Sequence, residues 1–311
     1  ITFPKKLGIS YREFGLTQKP EITEKSGMVT YRWELKDLYD DRQSEEYLPP
    51  PSPDDPMEAF EFSSVKSWDD FARWYWGLIE KNTVVTPEIE AAARKAAEGH
   101  ELVRDKTRAI LEYVQDNFRY VSMSFGENAF EPHSTKDVFA NKYGDCKDLS
   151  LLTRTMLSAV GVKAHIALFN TENSINDPAY DLPIPTLFNH VLLLVEDPLA
   201  GDFYADPLLK GYDIGEYPMG FQRAYTFIIA DGKGRFGRLP EFDAERTAQR
   251  VNQVIDMNED WSGVFEVSKV WDLDSSIEVR DTLKAMNDTQ KKELYEGIDF
   301  MMAQGGEVMK R

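Results

Sequence analysis

The 311-residue chain holds one cysteine, Cys146, so no internal disulfide framework can brace its fold and no cysteine pair can grip zinc. Histidine is almost as sparse. His100, His133, His165 and His190 are scattered with no ligand pair at metal spacing, so neither a metal nor a cofactor is expected. No apolar run approaches the roughly 20 residues that would cross a bilayer. Positive charge is in deficit as well: 36 basic side chains against 54 acidic ones leave a net charge of −18, which repels a phosphate backbone and excludes nucleic acid as an expected partner. The same acidity suits a cationic or amine-bearing partner, or simply a solvated face. The chain opens on Ile1 with no initiator methionine or signal peptide, so a removed natural start is expected and the compartment is not legible from this end. No internal repeat is seen, and the proline tract described below is the only low-complexity stretch.

Hydrophobic residues at 42% and aromatics at 12% are sufficient for a sizeable core, and the length favours two or three domains. In residues 27–35, Val29, Tyr31, Trp33 and Leu35 alternate with polar neighbours as in a half-buried strand. Leu48-Pro49-Pro50-Pro51-Ser52-Pro53 can continue neither a sheet nor a helix, which predicts a boundary near 48–58. Helical spacing follows: Trp68, Phe71, Trp74, Tyr75 and Leu78 behind a Ser67 cap, a second helix opened by Pro87, and a third that runs through Val103, Thr107, Ile110, Val114 and Phe118 and ends near Arg119-Tyr120. Strands are expected at 163–170, 188–195, 202–205 and 225–230, forming one antiparallel sheet. Helices first and sheet afterwards indicate an α+β fold. Farther on, 263–273 and 276–283 read as strands and 289–302 as a helix.

Tyr143-Gly144-Asp145-Cys146-Lys147-Asp148 leads into an apolar stripe of Leu149, Leu152, Met156 and Val160 that ends at Gly161. Cys146 therefore falls in a first helical turn, with Asp145 as N-cap and Asp148 as its capping-box partner. Unpaired amides and the positive end of the helix dipole favour a thiolate there, whereas two adjacent carboxylates oppose it. A plain buried cysteine is the rival reading, weakened by the polar neighbours of the sulfur.

If the loop Glu196 to Ala200 sets Val195 opposite Gly201, His190 falls opposite Asp206, with both side chains on one face. A carboxylate that orients a histidine facing a helix-start cysteine is the arrangement that activates a thiol. Taken singly, His190 could be a satisfied core histidine and Asp206, before Pro207, a turn residue.

The YGDCKD segment at Cys146, FNHVLLLV at His190 and YADPL at Asp206 together resemble the transglutaminase-like superfamily. The likeness is greatest to a bacterial subgroup in which the thiol core lies between an uncharacterised β-rich domain and another. It takes in Trp68 to Tyr75, the FRYVSMSFG segment from Phe118, Glu131-Pro132-His133 and Asp137-Val138, or about residues 60–240. The resemblance implies a papain-like core in which a helix-borne cysteine packs on an antiparallel sheet carrying His and Asp, with Cys146, His190 and Asp206 as catalytic residues. It also implies a periplasmic or cell-envelope setting, with envelope association through flanking regions beyond this chain. The calcium sites of animal transglutaminases find no recognisable ligand pattern. The expected division is the end of a β-rich domain plus linker over 1–58, the catalytic core over 59–243, and the start of a β-rich domain over 244–311.

The function so implied is thiol-dependent acyl transfer or amide hydrolysis on a protein or peptide substrate, with water or an amine co-substrate as acceptor. Tyr120 and Asn189 are candidate oxyanion or substrate contacts beside the Cys146 amide, although packing is the rival role for Tyr120. The alternative from another class is a non-catalytic module that binds protein or peptide in the same cleft.

Overall fold

The computed structural model describes residues 1–14, 19–34, 59–122, 129–172, 182–260 and 263–294; the proline tract and residues 123–126 of the FRYVSMSFG segment lie outside them. The chain divides into two compact units, Ile1–Pro240 and Glu241–Arg311.

The first unit opens with strands β1 (Thr2–Pro4), β2 (Ser10–Phe14), β3 (Glu21–Lys25) and β4 (Met28–Arg32), followed by β5 (Ala59–Ser63). β4 pairs with both β1 and β3, and β2 pairs with β5. Ser26 and Gly27, both at positive φ, form the two-residue turn between β3 and β4, where such backbone matches the twist of a hairpin. Rings of Phe3, Tyr11, Tyr31, Trp33 and Phe62 pack together, and Trp33 stacks on Phe60 at 4.7 Å between centroids.

Helices then dominate: α1 (Trp68–Asn82), α2 (Pro87–Ala96), α3 (Val103–Asn117), α4 (Thr135–Asn141) and α5 (Cys146–Ala159), with short strands β6 (Arg119–Tyr120) and β7 (Tyr143–Gly144) between them. Ser67 caps α1 by accepting the Asp70 amide at 3.1 Å, and Pro87 occupies the first turn of α2. Phe71, Ala72, Tyr75 and Ile79 are the buried side of α1. Trp74, expected on that side, is 48% exposed, because a face centred on 71, 75 and 79 turns position 74 outward.

The sheet of this unit has strand order β10-β9-β8-β11-β12, with every neighbouring pair antiparallel. Its strands are β8 (Ala164–Phe169), β9 (His190–Val195), β10 (Phe203–Ala205), β11 (Tyr225–Ala230) and β12 (Lys233–Arg238). β8 is buried along its whole length, and β9 everywhere except at His190. That is why both read as continuous apolar runs rather than alternating ones. β12 gave no strand signal, since its KGRFGR sequence carries two glycines. A side chain at Gly234 would put its Cβ 2.2 Å from the Phe227 ring, so the residue that hides the strand is the one its packing requires.

α5 lies against β8 and β9 on one side and against α2, α3 and α4 on another, making it the central helix of the core. Leu149, Leu151, Leu152, Met156 and Leu157 are all buried. Truncating any of them to alanine would cost about 2–5 kcal/mol. A site at the start of α5 is therefore fixed by the most deeply packed element of the unit.

The second unit holds α6 (Ala244–Thr247), β13 (Arg250–Met257), β14 (Gly263–Val270) and α7 (Leu273–Ala285). β13 and β14 form a hairpin. The strand expected over 276–283 is instead part of α7. Ile277, Val279 and Leu283 imitate a period of two, but Asp272 caps the helix by accepting the Ser275 amide at 2.8 Å, and Ile277 is the buried contact. Residues 288–294 are also helical, and the rest of the helix expected to 302 lies outside the described residues.

Candidate active site

Cys146 occupies the first position of α5 behind a complete capping box: Asp145 accepts the Asp148 amide, and Asp148 accepts the Asp145 amide at 3.2 Å. Its side chain is half-buried and in no disulfide. Gly144, just before the cap, pairs with Tyr120 across β6 and β7. A Cβ at Gly144 would lie 2.7 Å from the Asp148 Cβ, so only glycine lets the chain pass this close to the capping carboxylate. One turn into the helix, Ser150 donates a 3.0 Å hydrogen bond to the Val191 carbonyl. The cysteine helix is thereby tied to β9 at the residue next to His190.

His190 is the first residue of β9, and its Nε2 donates to Asp206 Oδ2 at 2.7 Å. Phe169, paired with it in the β8 ladder, stands edge-on to the imidazole at 5.3 Å and limits its rotation. Asp206 is buried directly after β10, and its other oxygen accepts the Leu208 amide at 2.8 Å. The expected register was off by two residues: Val195 pairs with Phe203, so Asp206 lies diagonal to His190 rather than opposite it. Asp197 causes the difference. It folds the connection into a tight turn by accepting the Leu199 and Ala200 amides, and Gly201 follows at positive φ, so the loop runs from 196 to 202. A shift of two keeps side chains on the same face, and diagonal neighbours remain within reach of a long side chain.

Burial on its own would push the His190 imidazole down. The Asp206 charge and hydrogen bond outweigh it, a hydrogen bond and charge from Cys146 add to them, and the pKa is raised to about 10. The structure thus brings Cys146, His190 and Asp206 together, with His190 interacting on both sides.

Tyr120 also reaches the sulfur's surroundings. Burial first, and then the Cys146 charge, push its phenol up, with a hydrogen bond to Ser122 opposing them. Asn189 is not part of the cluster. Its Oδ1 accepts the Thr171 amide at 2.9 Å and its Nδ2 donates to the Thr171 hydroxyl at 3.1 Å. Adjacent strand residues point to opposite faces, so placing His190 in the site turns Asn189 away from it.

The two carboxylates expected to oppose a thiolate are both engaged. Asp145 pairs with the buried Lys147, and Asp148 is bonded to His133 through its Oδ2 at 3.0 Å. Burial pushes the Asp145 carboxyl up, opposed by the Lys147 hydrogen bond. Neither pairing was legible in the sequence: Lys147 is there one of the polar neighbours of the sulfur, and His133 enters through the resemblance, with no local spacing that links it to Asp148. Among the described residues, no three His, Cys, Asp or Glu side chains are grouped to hold a metal ion.

Residues 90–191 match the family model of the transglutaminase-like superfamily. These residues carry a transglutaminase-like core. The matched span includes Cys146 and His190, while Asp206 lies beyond it. The fold of a Parabacteroides distasonis chain provisionally called a protease is similar, with a TM-score of 0.59 at 11% identity. That likeness covers 81% of this chain and 49% of the other, so the chain spans about half the length of that relative. A Cytophaga hutchinsonii chain provisionally called a cysteine protease matches over 39% of this chain and 37% of its own, with 19% identity and a TM-score of 0.30. No curated protein matches. The architecture is thus α+β around a transglutaminase-like core, a fold suited to thiol-dependent catalysis.

Proposed function

We propose that this chain performs thiol-dependent acyl transfer or amide hydrolysis on a protein or peptide, with Cys146 as nucleophile, His190 as its proton partner and Asp206 as the group that orients the imidazole. What carries this reading is the state of His190, bonded to Asp206 at 2.7 Å and held as imidazolium by that carboxylate and by Cys146. An imidazolium beside the sulfur at a helix start favours the thiolate.

The Cys146 sulfur adds to the carbonyl carbon of a carboxamide or peptide bond, and the carbonyl electron pair moves to oxygen. The Cys146 amide, one of the unpaired donors of the α5 start, faces that charge, with Tyr120 as a second donor. His190 gives its ring proton to the departing nitrogen as the carbon–nitrogen bond breaks, leaving a thioester and an amine. Water or an amine then attacks the thioester while His190 takes up a proton, and the sulfur leaves as thiolate. Water gives deamidation or proteolysis, and an amine gives a new amide cross-link.

Incubation of the purified protein with a glutamine-bearing peptide and a labelled primary amine tests the reading. Amine incorporation or ammonia release that disappears in Cys146→Ser supports it. No turnover, together with alkylation of Cys146 at the rate of an ordinary thiol, would identify the cleft as a non-catalytic binding module.

A further inference from the structure

A second histidine–carboxylate pair stands at the start of α5, built on Asp148 two residues after Cys146. The His133 backbone amide donates to Asp148 Oδ1 at 2.7 Å, and its ring Nδ1 lies 3.0 Å from Oδ2. Asp148 is fully buried in the first turn of α5, two residues after the nucleophile, and its Oδ2 also accepts the Asp145 amide. A buried carboxylate with these donors is fixed in place, and losing one of them would leave a desolvated charge short of a partner.

The charges around this pair can be followed group by group. Asp145 is offset by Lys147 on the same helix. From α1, Tyr75 faces the cluster as a neutral phenol, pushed far up by burial and then by the charges of Cys146, Asp145 and Asp148. Glu131, in the loop with His133, is held by Lys81 at 2.8 Å and by Asn82. Asp148 is the carboxylate left to His133, which meets both of its oxygens, one with the backbone amide and one with the ring Nδ1.

We propose that His133 is a positioning residue for Cys146: its backbone amide and ring Nδ1 together hold Asp148 against the first turn of α5 and so fix the start of the helix that carries the sulfur. The proposal rests on the thiol reading above. Nothing in the chemistry requires His133 to touch substrate.

The test is the second-order rate of iodoacetamide alkylation of the full chain, measured beside its melting temperature. Wild type is compared with His133→Asn, whose side-chain amide can donate as the ring Nδ1 does, with His133→Leu, which has no side-chain donor, and with His190→Ala. His133→Leu should be slower on the order of tenfold, because the helix start can then shift, and His133→Asn should recover most of the rate. A folded His133→Leu with the wild-type rate overturns the proposal, as does a His133→Asn as slow as His133→Leu. Should His133→Leu fail to fold, a folded His133→Asn about tenfold slower than wild type overturns it equally. A wild-type rate that His190→Ala leaves unchanged sinks the thiol reading and this proposal with it. A His190-dependent rate indifferent to the residue at 133 sinks this proposal alone.

Discussion

His190 and Asp206 share a 2.7 Å hydrogen bond although the strands beneath them set the two residues diagonally, with Val195 paired to Phe203. The imidazole spans the offset, and Asp206 is anchored from behind by the Leu208 amide. Removing the carboxylate charge while keeping its shape should therefore act on the chemistry more than on the fold. Asp206→Asn is expected to slow both acyl transfer and alkylation of Cys146 by at least about tenfold, since an adjacent opposite charge is worth about 1–3 pKa units to its partner. Alkylation rates of variant and wild type across pH check this. Equal rates would remove Asp206 from the mechanism.

The raised imidazole pKa has a consequence for stability. In the unfolded chain His190 returns toward 6.5, while the folded state holds its proton to about pH 10. The folded state thus binds the proton more tightly. Its contribution is fully present below pH 6.5 and is lost as pH rises toward 10. The side chain is 14% exposed, and the effect is on the order of a few kcal/mol at most. Urea unfolding at about pH 6.5 and 9.5 should show a loss in wild type that exceeds the loss in His190→Gln. Parallel losses would mean that Asp206 and Cys146 do not hold the proton.

Much of this site was legible in local chemistry. Asp145, Cys146 and Asp148 announce a capped helix start, and the apolar runs of β8 and β9 announce buried strands beside it. Long-range relationships were not legible. The β9–β10 register depends on how many residues the Asp197 turn consumes, and no strand pattern encodes that number. The pairing of His133 with Asp148 joins a loop to a helix and leaves no periodic trace. In α7 the local signal misled, because apolar residues two apart fit a strand until the Asp272 cap and the burial of Ile277 are considered together.

That competition in α7 can be measured. Asp272 accepts the Ser275 amide, the Ser275 hydroxyl and a Gln249 side-chain donor, so Asp272→Ala removes the cap and the shared acceptor of all three. A loss of about 0.5–2 kcal/mol is expected, confined to the second unit. Hydrogen exchange of the α7 amides should accelerate while those of α5 stay unchanged. Unaltered α7 protection would show that packing of Ile277, rather than the cap, decides for helix over strand.

Ser150 offers a test of how firmly the nucleophile is tied to its histidine. Its hydroxyl is fully buried and donates to the Val191 carbonyl, so Ser150→Ala leaves that carbonyl unsatisfied in the core between α5 and β9. The expected cost is about 1–3 kcal/mol, read as a lower melting temperature. Alkylation of Cys146 should slow as well, because the helix start can then shift relative to His190. A destabilised variant with an unchanged alkylation rate would show that the bond serves the core but not the alignment of the thiol.

Gly144 tests whether the site tolerates any change in the path of the chain into α5. Its backbone pairs with Tyr120 and its missing side chain makes room for Asp148, whose Cβ would lie 2.7 Å from an added methyl group. The Asp148 side chain cannot yield cheaply, since its oxygens are committed to His133 and to the Asp145 amide. Either the capping box opens or β6 and β7 separate, and both displace the Cys146 amide and sulfur. Gly144→Ala should therefore lower stability by about 1–3 kcal/mol, the usual cost of overpacking. It should also reduce alkylation by more than Ser150→Ala does, because it disturbs the cap itself rather than a contact one turn away. A Gly144→Ala protein with wild-type melting and wild-type alkylation would show that the first turn of α5 is softer than its hydrogen bonds imply, and would remove the geometric basis for a fixed thiol at Cys146.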